Sequence, residues 1–119
     1  MNIEHVPTPD RCQRLEELLK AIGVEVTTEY YWGSESDGAN YLVNKRDVQV
    51  GDVEAPLASE LIAWMKDEII IIAWMDNGDI EITAVDQSMV ADTAANALAD
   101  MVIHLLKTGQ LKKEDFCNG

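Results

Sequence analysis

Between Lys66 and Lys107 the sequence contains no lysine or arginine, and between Lys20 and Lys45 again none. The scarcity is general: nine basic residues stand against 22 acidic ones, for a net charge of −13. A protein that grips nucleic acid neutralises phosphates with basic patches, so direct DNA or RNA binding is not expected. Attachment to anionic membrane surfaces is disfavoured for the same reason. Cysteine is equally scarce. Cys12 and Cys117 stand near opposite ends, unlike the closely spaced pairs of a disulfide-framed secreted domain. The start, MNIEHVPTPD, has neither a basic region nor an apolar run. No secretory signal is therefore expected, and the cytoplasm is the expected compartment. Both cysteines are expected as free thiols, Cys12 on a helix face and Cys117 in a frayed tail. The apolar runs on either side of Lys66-Asp67-Glu68 are too short to span a bilayer. Missing too are a glycine-rich phosphate loop, a CxxC pair and a serine elbow.

What is present describes one globular domain over residues 1–119, with 110–119 as a short tail. An apolar share of 47% suffices for a core without staples. Thr8, Pro9 and Asp10 start a helix, Leu15, Leu18, Leu19 and Ile22 repeat along it at three and four, and Gly23 stops it. From Val24 to Trp32 apolar and polar residues alternate, the pattern of a strand, and NYLVNK reads as its return after the acidic loop GSESDG. Val48 and Val50 extend a strand or form an edge. The tetrapeptide IAWM occurs twice, at Ile62–Met65 and Ile72–Met75. The first copy continues a helical stripe of Leu57, Leu61, Trp64 and Met65. The second runs into Asn77-Gly78, the strongest short hairpin signal, because a two-residue type I′ turn needs positive φ at both positions. Centred there, Met75 faces Ile80, Ala73 faces Ile82 and Ile71 faces Ala84 on a core side. Trp74 with Glu81 and Ile72 with Thr83 then lie on the other face. Trp74 is the tryptophan of the two copies expected near a surface. Val90, Ala94, Leu98, Met101 and Leu105 share one face of a closing helix, capped by Asp86 or Ser88 and stopped by Gly109. The order α-β-β-α-β-β-α predicts an α+β fold, a four-stranded, mainly antiparallel sheet packed against helices.

Three constellations suggest chemistry. Asp100 and His104 lie one turn apart and form an acid/base dyad or half a metal site only if a third group joins them. No such group is visible, and the plainer reading is a boundary histidine steadied by Asp100. Asp76-Asn77-Gly78-Asp79 resembles part of a calcium loop, but Ala73 and Ala84 occupy the first and twelfth positions, where carboxylates are required. No catalytic, cofactor or metal residues are assigned, and no enzyme is expected. The third constellation is the charge itself. Both hairpins are purely acidic and carry aromatics. If their loops project together, Glu25, Glu29, Tyr31, Glu35, Asp37, Trp74, Asp76, Asp79 and Glu81 form one negative surface. Such a surface steers a basic protein partner and speeds encounter. It could mimic nucleic-acid phosphates or occlude a basic groove. The plainer reading is solubility.

The hairpin at Asn77-Gly78 followed by TAANALADMVIHLL resembles the ending of many small uncharacterised phage and prophage proteins, over Ile69–Leu106. The resemblance implies a mobile-element origin and a role in binding or inhibiting host factors. It carries no functional residue with it. The expectation is a non-enzymatic acidic binding protein, an inhibitor or immunity-like protein that engages a basic partner. The alternative is a small self-associating scaffold, with a homodimer as its simplest form.

Overall fold

A computed structural model describes residues 6–26, 28–34, 40–48, 52–65, 70–84 and 87–113. It is an α+β structure of three helices and two three-stranded antiparallel sheets. In chain order these are α1 (Pro9–Ala21), β1 (Tyr30–Ser34), β2 (Asn40–Asn44), β3 (Val53–Ala55), α2 (Ala58–Trp64), β4 (Ile71–Trp74), β5 (Ile80–Ala84), β6 (Gln87–Ala91) and α3 (Ala94–Lys107). The first sheet has the order β2-β1-β3 and the second β4-β5-β6.

α1 begins where Pro9 stands at its first turn, since proline there sacrifices no hydrogen bond. Thr8 holds the cap position, but its side chain does not cap. Its hydroxyl instead accepts from Arg11 at 3.2 Å. Cys12, Leu15 and Leu19 form the buried stripe. Gly23 ends the helix in the left-handed region, at φ +79°, where other residues are strained. α2 starts with the Glu60 carboxylate accepting from the Leu57 amide at 2.8 Å. It buries Leu61 and Met65 as its stripe requires. α3 is capped by Thr93, whose hydroxyl accepts from the Asn96 amide at 3.2 Å. It buries residues around most of its circumference, including Ala95, Leu98, Met101, Val102 and Leu105. The alanines let neighbours come close. β5 and β6 pack on α3 from one side, and α1 and α2 pack on it as well. This assembly holds the main core. β3 joins the first sheet to α1, where Val6, Cys12, Trp32 and Ala55 make a second, smaller core.

Four sequence expectations are corrected. The single four-stranded sheet is two sheets, because each hairpin acquires a third strand. β3 pairs with β1, Tyr31 opposite Glu54, and β6 pairs with β5, Glu81 opposite Val90. Gln87–Ala91, expected inside the closing helix, is that last strand, so Ser88 does not cap α3, and Asp86 lies outside the described residues. β1 is shorter than Val24–Trp32. Val24 instead closes the turn after α1, its amide donating to the Leu19 carbonyl at 2.9 Å. The fourth correction is the register of the second hairpin. Gly78 N–H donates to the Met75 carbonyl at 3.0 Å, and Met75 N–H donates to the Asp79 carbonyl at 2.9 Å. Gly78 has φ +92°. This is a three-residue loop, a turn closed by a left-handed bulge glycine, in place of the two-residue turn. The Asn77 side chain favours it by accepting from the Asp79 amide at 3.0 Å. One residue of slip turns every β4 side chain over. Trp74 now opposes Ile80 and Ile72 opposes Ile82, while Ala73 opposes Glu81 and Ile71 opposes Thr83.

Among the described residues no helix is long and apolar enough to cross a membrane.

Candidate functional site

β4 is where the structure departs from an ordinary buried sheet. Every residue from Ile71 to Trp74 is exposed, on both faces. Trp74 is 75% exposed, Ile71 59%, Met75 43% and Ile72 36%. The cause is position. β5 lies in the middle of its sheet and buries Ile82 and Ala84 on α3. β4 lies at the edge, and among the described residues nothing pairs with its other side. The expectation that Trp74 lies near a surface holds. The expectation that Ile71 and Met75 face the core does not.

Four of the nine sequence candidates lie on this hairpin, although the register that pairs Trp74 with Ile80 puts Glu81 on the opposite face instead of across from Trp74. Trp74 ends β4, Asp76 and Asp79 flank the bulge glycine, and Glu81 projects from the outer face of β5 opposite Ala73. Asp79 is held in the loop by Asn77, whose side-chain amide donates to its carboxylate at 3.2 Å. Tyr31 is in β1 of the first sheet and half-buried, and Glu29 is an exposed residue just before that strand. Glu25 is exposed beside the end of α1. Glu35 and Asp37 lie outside the described residues. No strand is shared between the two sheets, so the two hairpins are not neighbours in one sheet.

Several other polar groups are engaged among themselves. Asp100, expected to steady His104, instead takes Arg11 in a two-pronged ion pair at 2.9 and 3.3 Å. An open cleft of about 380 Å³ lies there, lined by Thr8, Asp10, Arg11, Arg14, Asp100 and Ile103. Next to it the buried Asn96 accepts from the Thr8 amide at 2.9 Å and donates to Asp92 at 2.8 Å. That amide holds the Asp92 carboxyl below its ordinary value. The Arg11–Asp100 and Thr8–Asn96 links join residues 89 and 88 positions apart, too far for local patterning to reveal them.

Two further groups sit by α1. Cys12 is a free, buried thiol. Burial pushes it up to about 12, so it stays protonated at neutral pH. Its Sγ and the Trp32 ring N–H share the Pro7 carbonyl, at 3.5 and 2.9 Å. Cys117 lies outside the described residues. Glu54 of β3 meets Glu16 and Lys20 of α1. Burial first, and the Glu16 carboxyl after it, raise Glu54 above its ordinary value. Lys20 and Glu16 pair at 2.7 Å. The cavity they rim holds about 40 Å³, room for water and not for an organic ligand. Among the described residues no three histidine, cysteine or carboxylate groups cluster as metal ligands. Compared with protein-family models, curated proteins and solved structures, the chain matches none.

Proposed function

We propose that this is a non-enzymatic binding protein whose working surface is the β4–β5 hairpin, an apolar strand ending in an acidic loop, and that its target is a basic protein. One observation carries the reading: Trp74, three quarters exposed, stands on the same hairpin as Asp76, Asp79 and Glu81. Tryptophan is a frequent energetic anchor of protein interfaces, and its exposure on a free molecule leaves apolar area to be covered. Carboxylates on the same hairpin, in its loop and on the opposite face of β5, attract basic partners and reject acidic ones. A groove that binds nucleic acid is one such target, which occlusion by this hairpin would inhibit. The likeness of the second half to small phage and prophage proteins suggests an inhibitor or immunity-like role.

The test is capture of partners from native cells at low and moderate salt. A captured basic protein should be lost as salt rises, and lost also by the variant Asp76→Lys/Asp79→Lys/Glu81→Lys. Capture that survives all three reversals refutes the reading. The exposed apolar strand also favours a second reading, a scaffold that self-associates through β4. Light scattering decides it, since a strict monomer at high concentration removes it.

A further inference from the structure

The four sheet edges are not alike. β3 has three residues and runs into Pro56, which cannot donate to a ladder. β2 ends in a tight turn at Lys45–Asp47. β6 offers Gln87 and Ser88, both exposed. A short strand next to a proline is an ordinary blunt edge. β4 differs from the other edges in that all of its residues, Ile71 to Trp74, are both apolar and exposed, and its β-branched and aromatic residues favour an extended chain.

Its main chain is also available. Met75 N–H bonds across to Asp79. Along an antiparallel pair the main-chain groups alternate, so those of Met75, Ala73 and Ile71 turn toward β5 and those of Ile72 and Trp74 turn away. Among the described residues no strand meets them. A strand docking there would gain hydrogen bonds at Ile72 and Trp74 and cover apolar side chains on both faces.

The charge decides which strand. From Asp67 to Asp86 the chain has six acidic residues and no basic one. A second copy would bring its own Asp76 and Asp79 beside this hairpin's, like charges meeting at a cost. A segment with basic residues around an apolar centre meets the opposite charge. We propose that β4 takes up an extended segment of a partner protein as an added strand, apolar at its centre and flanked by lysine or arginine. The inference rests on the hairpin reading above and adds to it the mode of binding and the partner's chemistry.

The probe is the synthetic peptide Lys-Lys-Val-Thr-Val-Thr-Val-Lys-Lys, with a second version N-methylated at alternate residues so that it keeps its charge but loses one row of N–H donors. Binding to the full chain is measured by calorimetry at low salt. The plain peptide is expected to bind, with N-methylation weakening it about tenfold or more, as loss of two or more hydrogen bonds requires. Ile72→Pro should weaken it similarly. That proline removes an N–H which faces away from β5, so amide protection in β5 checks that the hairpin remains. Asp76→Lys/Asp79→Lys should weaken both peptides. Equal binding of the two peptides overturns strand addition and leaves the acidic surface standing. No binding of either peptide overturns both. Self-association of the protein that Ile72→Pro abolishes assigns the edge to a second copy, and overturns the proposal too.

Discussion

The two sheets have the same strand count and treat their tryptophans in opposite ways. Trp32 is 8% exposed and Trp74 is 75% exposed. Each belongs to the first strand of a hairpin. The difference lies in where the third strand attaches. In the first sheet β3 joins β1, so the hairpin's first strand becomes the centre and Trp32 is flanked on both sides. The segment before α1 then covers it, with the Pro7 carbonyl accepting from its ring N–H. In the second sheet β6 joins β5, so the hairpin's first strand is left at the edge with Trp74 bare. Residue type did not decide which tryptophan would be core. Topology did, and it left the larger unsatisfied surface on the second hairpin.

The sharpest way to break this comparison is to truncate both rings. Trp32→Ala empties the small core beside Val6, Cys12 and Ala55 and leaves the Pro7 carbonyl without its donor. It should cost about 3–5 kcal/mol in urea denaturation. Trp74→Ala removes a ring that touches little, and its unfolding free energy should stay within about 0.5 kcal/mol of the parent. Equal losses at the two sites would mean that β4 is not a bare edge.

Much of this was legible where the signal was local. Pro9 and Gly23 bracket α1, Gly109 follows α3, and Leu57, Leu61 and Met65 mark the stripe of α2, because caps and helical spacing act within a few residues. The exposure of Trp74 and the acidic character of its hairpin could be read as well. What depends on distant partners could not. β3 has too few residues to show a period, and it is a strand only because β1 offers an edge. Val90, Ala94 and Leu98 recur at four, which imitates a helix. Only pairing with β5 reveals that Met89 and Ala91 turn inward while Ser88 and Val90 turn outward. The register of β4 turned on a loop of three residues instead of two, a choice made by the Asn77 side chain. Which sheet each hairpin would join also depended on assembly, and β1–β2 and β4–β5 belong to different sheets.

A smaller effect is expected at Asn96, which ties the segment covering Trp32 to α3. Its side chain accepts from Thr8 and donates to Asp92. Asn96→Ala leaves the Thr8 amide unpaired and should cost about 1–3 kcal/mol, read from urea midpoints. The loss should show first in the region of the first sheet, as faster amide exchange around Trp32, with β5 unaffected. It should also depend on pH. Asp92 has its native value lowered, chiefly by the Asn96 amide, so this contact contributes fully above the ordinary aspartate range. The contribution fades as pH falls through the lowered native value. Below it, parent and variant should converge, by a modest amount because Asp92 is exposed.

The smallest effect concerns Glu54, where the first sheet meets α1. Its carboxyl is raised above the ordinary 4.5, by burial and then by Glu16. The folded protein therefore binds a proton that the unfolded chain has already released. Stability gained by this proton is complete below about 4.5 and is lost as pH rises through Glu54's native value. At neutral pH the site holds a half-buried carboxylate beside another, with Lys20 only partly offsetting it. Glu54→Gln keeps the shape and removes the charge. The variant should unfold at a slightly higher temperature than the parent at pH 7, by the equivalent of less than about 1 kcal/mol given solvent screening. The advantage should vanish at pH 4. No matching change is expected for Glu81→Gln on the second sheet, whose carboxylate opposes Ala73 at the edge strand and Val90 across it. A gain at Glu81 equal to that at Glu54 would show that overall charge, and not the covered seam between β3 and α1, sets the pH response.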